Sequence, residues 1–211
     1  MSEQEMTVPD DVPTPVVIWV DPSCPWAWQT ARWLRGLRDR RSVALRWRLY
    51  SLELNATYRD DLSFHDAAAT YGDALTALAL ARREGGADAF ERLYVALGER
   101  LHDAKEPMSP ELLRTAAADA AMPDLVALAA AQPDLAHEVV AEFEAGRDAS
   151  VFGVPSLEVG GAPPIYGPIL PVAPQGDEAD EWWAHVRWLA ERRDFFELKR
   201  WPRASRPGQR P

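Results

Sequence analysis

Asp21-Pro-Ser-Cys-Pro-Trp-Ala-Trp-Gln-Thr30 holds the single cysteine of a 211-residue chain, and the pattern on either side of it sets the architecture. Behind it, Val16-Val-Ile-Trp-Val20 is a continuous apolar run closed by Pro15 and by Asp21-Pro22. Such a run reads as a buried strand of a parallel or mixed sheet. Ahead of it the period changes: Trp26, Ala27, Ala31, Trp33, Leu34 and Leu37 recur at helical spacing, with Arg32, Arg35, Arg38 and Arg40 filling the rest. Pro25 suits the first helical turn, because its missing N–H is one the helix would leave unpaired. Ser42 to Leu52 then alternates Val43, Leu45, Trp47 and Leu49 with Arg46 and Arg48, a second strand. The first fifty residues therefore read strand, helix, strand, with Cys24 on the first turn.

Further along, residues 62–150 give helix signals and no strand. Ala67 to Arg83 is rich in Ala and Leu and stops at Glu84-Gly85-Gly86, a C-cap pattern. Ala87 to Ala104 is a second helix, and Ser109-Pro110-Glu111 caps a third that runs to Ala121. Pro123-Asp124 and Pro133-Asp134 open two more. Strand signals return at Val154 to Val159, turn at Gly160-Gly161 and come back through Ile165-Tyr166. Asp177 to Arg193 closes the pattern as an amphipathic helix whose Trp182, Trp183 and Trp188 are expected to be core. The predicted fold class is α/β: a thioredoxin fold with an all-helical domain inserted after the second core strand. The expected divisions are a flexible lead (1–14), a thioredoxin-like domain (15–60 and 151–200), the inserted helical domain (61–150) and a flexible tail (201–211).

Composition excludes several functions. A net charge of −10 and a pI near 4.9 argue against nucleic-acid binding and against docking on anionic membrane. No apolar run approaches the roughly 20 residues of a membrane span. The acidic start MSEQEMTVPDDVPTP lacks the basic and apolar regions of a secretory signal, so a cytoplasmic location is expected. One cysteine rules out an internal disulfide, and His65, His102, His137 and His185 stand far apart, so no metal site is expected. Cys24 itself has two readings, a small core hydrophobe or a reactive thiol. A helix N-terminus favours an anion and lowers a thiol from its free value of about 8.5. The second reading therefore expects an activated, solvent-reachable Cys24, walled by Trp26.

The ordered set Trp19-Val-Asp-Pro-Ser-Cys-Pro-Trp26, Arg32-Trp33, Ser51-Leu52, Arg59-Asp-Asp-Leu62, Gly98-Glu-Arg-Leu-His102, Gly153-Val-Pro155, Tyr166-Gly-Pro168 and Phe195 to Arg200 resembles DsbA-like oxidoreductases. It is most similar to the actinobacterial mycothiol-dependent nitroreductases. The resemblance implies a cytoplasmic enzyme with no tightly bound cofactor. It implies mycothiol, a low-molecular-weight thiol, as cosubstrate, with a disulfide or nitro-aromatic compound as substrate. It also implies that Val154–Pro155 is a cis peptide lying against the Cys24 sulfur. Ala27 departs from the family, which commonly carries a second cysteine there. A mixed disulfide on Cys24 must then be released by an external thiol, so a monothiol reductase is expected rather than a dithiol oxidase.

The remaining candidate site residues follow from position. Pro25, Trp26 and Ala27 belong to the motif, and Val154 and Pro155 to the facing loop. His102 matches the Gly-x-Arg-x-His pattern as a site or lid residue, or else a structural cap. Asn55 and Tyr58 follow the second strand, where a cleft should open, as substrate contacts or as self-satisfied loop residues. Arg32, Arg35 and Arg38 form a solvated face from which one could meet a cosubstrate carboxylate. Two other classes compete: a kappa-type glutathione transferase or 2-hydroxychromene-2-carboxylate isomerase-like enzyme, and a non-catalytic binding protein on a decayed redox scaffold. The oligomeric expectation is a monomer or homodimer.

Overall fold

A computed structural model describes residues 12–58 and 71–199. Strand β1 (Thr14–Val20) is the apolar run before the cysteine, and Val16, Ile18 and Val20 are fully buried in it. Helix α1 (Pro25–Asp39) leads to β2 (Val43–Leu49), which lies parallel to β1 in register from Thr14 opposite Val43 to Val20 opposite Leu49. On its other side β1 pairs antiparallel with β3 (Ser156–Val159), with Ile18 opposite Leu157, and the short β4 (Ile165–Tyr166) adds to β3. The sheet order β2-β1-β3-β4 makes β1 an interior strand covered on both faces, which is why its sequence is apolar without alternation.

Between β2 and β3 the described chain is helical. Helix α2 (Leu52–Tyr58) follows β2 directly, where a loop was expected. Helix α3 (Gly72–Gly98) joins what the sequence divides into two helices, but the division is real: Gly86 breaks the run at φ 70°, ψ −160°. That conformation suits a residue without a Cβ. A single π-helical turn, Glu99–Asp103, continues from α3 and is closed by the Ala104 N–H to the Glu99 carbonyl. Helix α4 (Pro110–Asp119) starts as expected, with Ser109 Oγ accepting the Leu112 N–H at 3.0 Å. Helices α5 (Leu125–Ala130) and α6 (Asp134–Asp148) return the chain to β3, and α7 (Gly176–Ala190) packs back on α1. The architecture is a thioredoxin fold carrying an all-helical insertion after its second core strand. Residues 1–11, 59–70 and 200–211 lie outside the described residues, and with them the Arg59–Leu62 segment, Arg200 and the proposed tail.

The insertion is fastened to the sheet by rings and by two carboxylates. Trp47 of β2 meets Phe90 and Tyr94 of α3 at ring-centroid distances of 5.9 and 5.3 Å, and Tyr94 meets Trp28 of α1 at 6.1 Å. Glu91 of α3 accepts from Arg35 Nε at 2.9 Å, from Trp47 Nε1 at 3.1 Å and from Arg38. Arg35 and Arg38 thus pin α1 to α3 rather than forming a free solvated face. Glu142 of α6 is nearly buried and pairs with Arg82 and, at 3.7 Å, with Arg48. On α7 only Trp183 is core, against Trp33; Trp182 and Trp188 are 41% and 56% exposed, contrary to the expectation for all three. The buried face of α7 is Ala179, Trp183, Val186 and Ala190, and neither other tryptophan shares that stripe.

Candidate functional site

Cys24 is the N-cap of α1, with extended backbone (φ −89°, ψ 108°), and its Sγ accepts the Ala27 N–H at 3.4 Å. The turn before it is held by Asp21, whose carbonyl accepts the Cys24 N–H at 3.0 Å. The Asp21 carboxylate accepts the Ser23 N–H at 2.7 Å and the Leu52 N–H at 2.8 Å, so one buried acid ties the cysteine turn to the start of α2. From the far end of the sequence, the loop before β3 brings Val154 over the sulfur, and the Cys24 thiol donates to the Val154 carbonyl at 3.5 Å. Val154–Pro155 is cis, as the resemblance implied, and Gly167–Pro168 is a second cis bond that was not anticipated. Ser156 Oγ closes the loop by donating to the Gly153 carbonyl at 2.8 Å.

Electrostatics at the sulfur run against the simple helix-terminus argument. Cys24 is only 7% exposed, and burial pushes its thiol up to about 11; the negative charge of Asp21 adds to this, while the Ala27 and Trp26 N–H groups pull the other way. The expected low, solvent-reachable thiol is therefore not the resting state, which is a covered, protonated thiol. Burial also raises the Asp21 carboxyl, against the opposing pull of the Leu52 and Ser23 groups. The Ser23 hydroxyl sits close enough to contribute to that pull, although no partner meets it in hydrogen-bond geometry.

His102 lies on the π-helical turn and donates from Nε2 to the Pro22 carbonyl at 2.9 Å, two residues before the cysteine. Burial holds its imidazole below the usual histidine value, so it is neutral near pH 7. The same turn presents Asp103 to Trp28 Nε1 at 3.0 Å and to Arg32 at 3.3 Å. Arg32 is thereby paired within the fold rather than left for a cosubstrate. A π-helical turn shifts the residues after it relative to an α-helix, a common device at functional positions. Here it lets His102 and Asp103 both reach back to the Cys24 turn and α1.

Pro25, Trp26 and Ala27 follow the cysteine as the first turn of α1, with Trp26 half-buried against the core and Ala27 fully buried. Asn55 stands on α2, where its Oδ1 accepts from Tyr50 OH at 2.8 Å, a bond that fixes its orientation. Tyr58 ends α2, and its side chain lies outside the described residues. Nothing in the sequence marks Asp21 as a buried acid, or Tyr94 on α3 as a buried hydroxyl with no partner among the described residues. A surface groove of about 630 Å³ lined in part by Arg92, Glu99 and Asp119 lies on the α1–α3 flank and includes none of the residues around Cys24. Among the described residues no cluster of His, Cys, Asp and Glu is placed to hold a metal, and no helix is long and apolar enough to cross a membrane.

A thioredoxin fold with a cysteine N-capping its first helix and a proline loop laid over the sulfur defines a thiol-dependent oxidoreductase. The chain belongs to the Rv2466c-like family, described as mycothiol-dependent nitroreductase Rv2466c, which it matches over residues 23–200. It is similar to an uncharacterized protein of Mycobacterium tuberculosis, Rv2286c, at 29% identity over 89% of this chain and 82% of that one. Among solved structures it resembles a probable DsbA oxidoreductase, SCO1869, from Streptomyces coelicolor, with a TM-score of 0.60 and 23% identity over 88% and 93% of the two chains. A 2-hydroxychromene-2-carboxylate isomerase shares the fold, with a TM-score of 0.58 and 10% identity over 82% of this chain and 92% of that one.

Proposed function

We propose that the protein is a monothiol reductase that uses mycothiol to reduce a disulfide or a nitro-aromatic compound in the cytoplasm. The observation that carries this reading is the chain's one thiol, N-capping α1 under the Val154–Pro155 loop, with buried Ala27 where a resolving cysteine would stand. In the disulfide reaction the Cys24 thiolate attacks one sulfur of the substrate, the S–S bond breaks, and the departing thiolate takes up a proton. A mycothiol thiolate then attacks the Cys24 adduct, restoring Cys24 and leaving a mixed disulfide, and a second mycothiol reduces that outside the site. Per disulfide, two mycothiols become one mycothiol disulfide and two thiols appear. Reduction of a nitro group to nitroso balances in the same way, with two thiol hydrogens leaving as water with one oxygen.

The experiment is intact-mass analysis after incubation with mycothiol disulfide, followed by addition of reduced mycothiol. A single adduct on Cys24, absent in Cys24→Ser and cleared at a rate rising with mycothiol concentration, is the expected result. An adduct that excess mycothiol cannot clear would mean that the site no longer turns over. Conversion of a thiol conjugate with no protein adduct would instead point to transferase or isomerase chemistry.

A further inference from the structure

Pro22 and Ser23 form the middle of the tight turn that delivers Cys24, closed by the Cys24 N–H donating to the Asp21 carbonyl at 3.0 Å. The peptide that joins them is gripped from both sides. His102, eighty residues away on the π-helical turn, donates from Nε2 to the Pro22 carbonyl at 2.9 Å. The N–H of the same peptide, carried by Ser23, donates to Asp21 Oδ1 at 2.7 Å, and Asp21 Oδ2 accepts the Leu52 N–H at 2.8 Å. One hydrogen-bonded chain therefore runs from the helical insertion, through a single peptide plane, to a buried acid and on to α2.

The two sides of this grip differ in origin. Asp at the first position of a turn with Pro at the second commonly bonds the N–H two residues on, so the Asp21 side is local. The His102 side depends on the π-helical turn, which is itself fixed to α1 where Asp103 accepts from Trp28 Nε1 at 3.0 Å. A carbonyl can only accept, so Nε2 carries the imidazole proton, and burial keeps the ring neutral. Hydrogen bonds in a chain polarise one another: a peptide whose N–H meets a carboxylate presents a more negative carbonyl, a better acceptor for His102. Both Asp21 oxygens receive an N–H, so an amide in its place could satisfy only one of the two. Flipping the Pro22–Ser23 peptide would break the bonds on both sides and call for a positive φ at Ser23, which Ser23 does not have.

We propose that His102 and Asp21 are positioning residues that act as a pair through the Pro22–Ser23 peptide, fixing the turn that places the Cys24 sulfur against the Val154 carbonyl. Both act on the backbone ahead of the sulfur. The inserted helical domain thereby sets the reactivity of a cysteine that belongs to the sheet domain. The inference rests on the reading of Cys24 as a working thiol, but not on which thiol is the cosubstrate.

The test is a double-mutant cycle on the rate at which iodoacetamide alkylates Cys24, the chain's one thiol. His102→Leu should speed alkylation about fivefold in the wild-type background, because a freed turn uncovers the sulfur, but less than about twofold once Asp21→Asn has cut the chain. Equal acceleration in both backgrounds overturns the proposal. His102→Gln, whose amide carries an N–H at nearly the reach of Nε2, should hold the wild-type rate. Acceleration matching His102→Leu would mean that bulk, not the hydrogen bond, holds the turn, and would also overturn it. Nitrogen NMR of labelled histidine gives a readout that packing alone would not move. Wild type should show His102 with its proton on Nε2, and Asp21→Asn a shift toward mixed tautomers. A wild-type ring protonated on Nδ1, or an Asp21→Asn spectrum identical to wild type, sinks the pairing. Should Asp21→Asn fold poorly, the wild-type tautomer and the His102→Gln comparison still decide, since both keep the native Asp21. None of these measurements uses mycothiol, so coupled variants of a protein that forms no mycothiol adduct would retain the pair and remove the cosubstrate.

Discussion

At Cys24 two effects oppose each other, and their sizes decide the outcome. A helix N-terminus stabilises an anion by about 0.3–1 kcal/mol, and by about 2 in partly buried settings. The net rise of the thiol from 9.0 to about 11 amounts to roughly 3 kcal/mol against the thiolate, so burial wins. Because the folded value lies above the unfolded one, this stabilisation is fully present below about pH 9 and is lost as pH rises toward 11. Denaturant unfolding at about pH 8 and about pH 11 should therefore show wild type losing about 2–3 kcal/mol more than Cys24→Ala. Equal losses would mean that the thiol is not buried in solution. The motif around Cys24 was legible because it is a short local pattern, whereas the cis Val154–Pro155 bond was legible only through the family resemblance. The thiol's burial and the orphan hydroxyl of Tyr94 were not, because each depends on residues more than fifty positions away.

Among the elements, the turn after α3 does most to shape the site. The ring of fully buried Trp28 occupies the space where a Cβ on Gly98 would fall, so the close approach of α1 and α3 requires glycine there. Trp28 has little freedom to yield, since its Nε1 is tied to Asp103 on the next turn. Gly98→Ala should cost about 1–3 kcal/mol, as overpacked cores do, and lower Tm by roughly 2–12 °C for a chain of this size. Calorimetry showing no change would place Trp28 elsewhere in solution. The variant should also alkylate Cys24 faster, because displacing the Glu99–Asp103 turn loosens the His102 contact to Pro22. The sequence marked this position only as part of Gly-x-Arg-x-His; its steric reason needed the neighbouring helix. The helix start at Pro110, the break at Gly86 and the hairpin turn at Gly160-Gly161 were legible because proline fixes its own backbone and glycine alone readily takes a positive φ. The exposure of Trp182 and Trp188 was not, since which face of α7 is buried is set by the packing of Trp183 on Trp33, and neither residue stands three or four positions from Trp183.

Across the whole molecule, the redox sheet and the helical insertion share one core, so they should unfold as one unit. Trp47 of the sheet, Trp28 of α1, and Phe90 and Tyr94 of the insertion form a single ring cluster, and Glu91 at its margin receives Arg35, Arg38 and the Trp47 indole. The two arginines hold the Glu91 carboxyl below the usual carboxylate value although its burial works against them. A depressed folded value contributes stability that is present above the unfolded value of about 4.5 and is lost as pH falls through the folded one. Glu91→Gln keeps an acceptor for Trp47 but removes the carboxylate that Arg35 and Arg38 share, leaving Arg38 its contact with Asp39 at 3.0 Å. At pH 7 it should cost about 1–2 kcal/mol, a discounted figure because the arginines are partly exposed. As pH falls through the folded value the gap to wild type should close, because wild type then carries a neutral acid at the same place. Tryptophan fluorescence and far-UV circular dichroism should follow one coincident transition in both proteins. A wild-type transition that separates between the two probes would show the insertion melting apart from the sheet. If the gap persists undiminished at low pH, Glu91 acts by shape rather than by charge, and the arginines of α1 are free to meet a ligand after all.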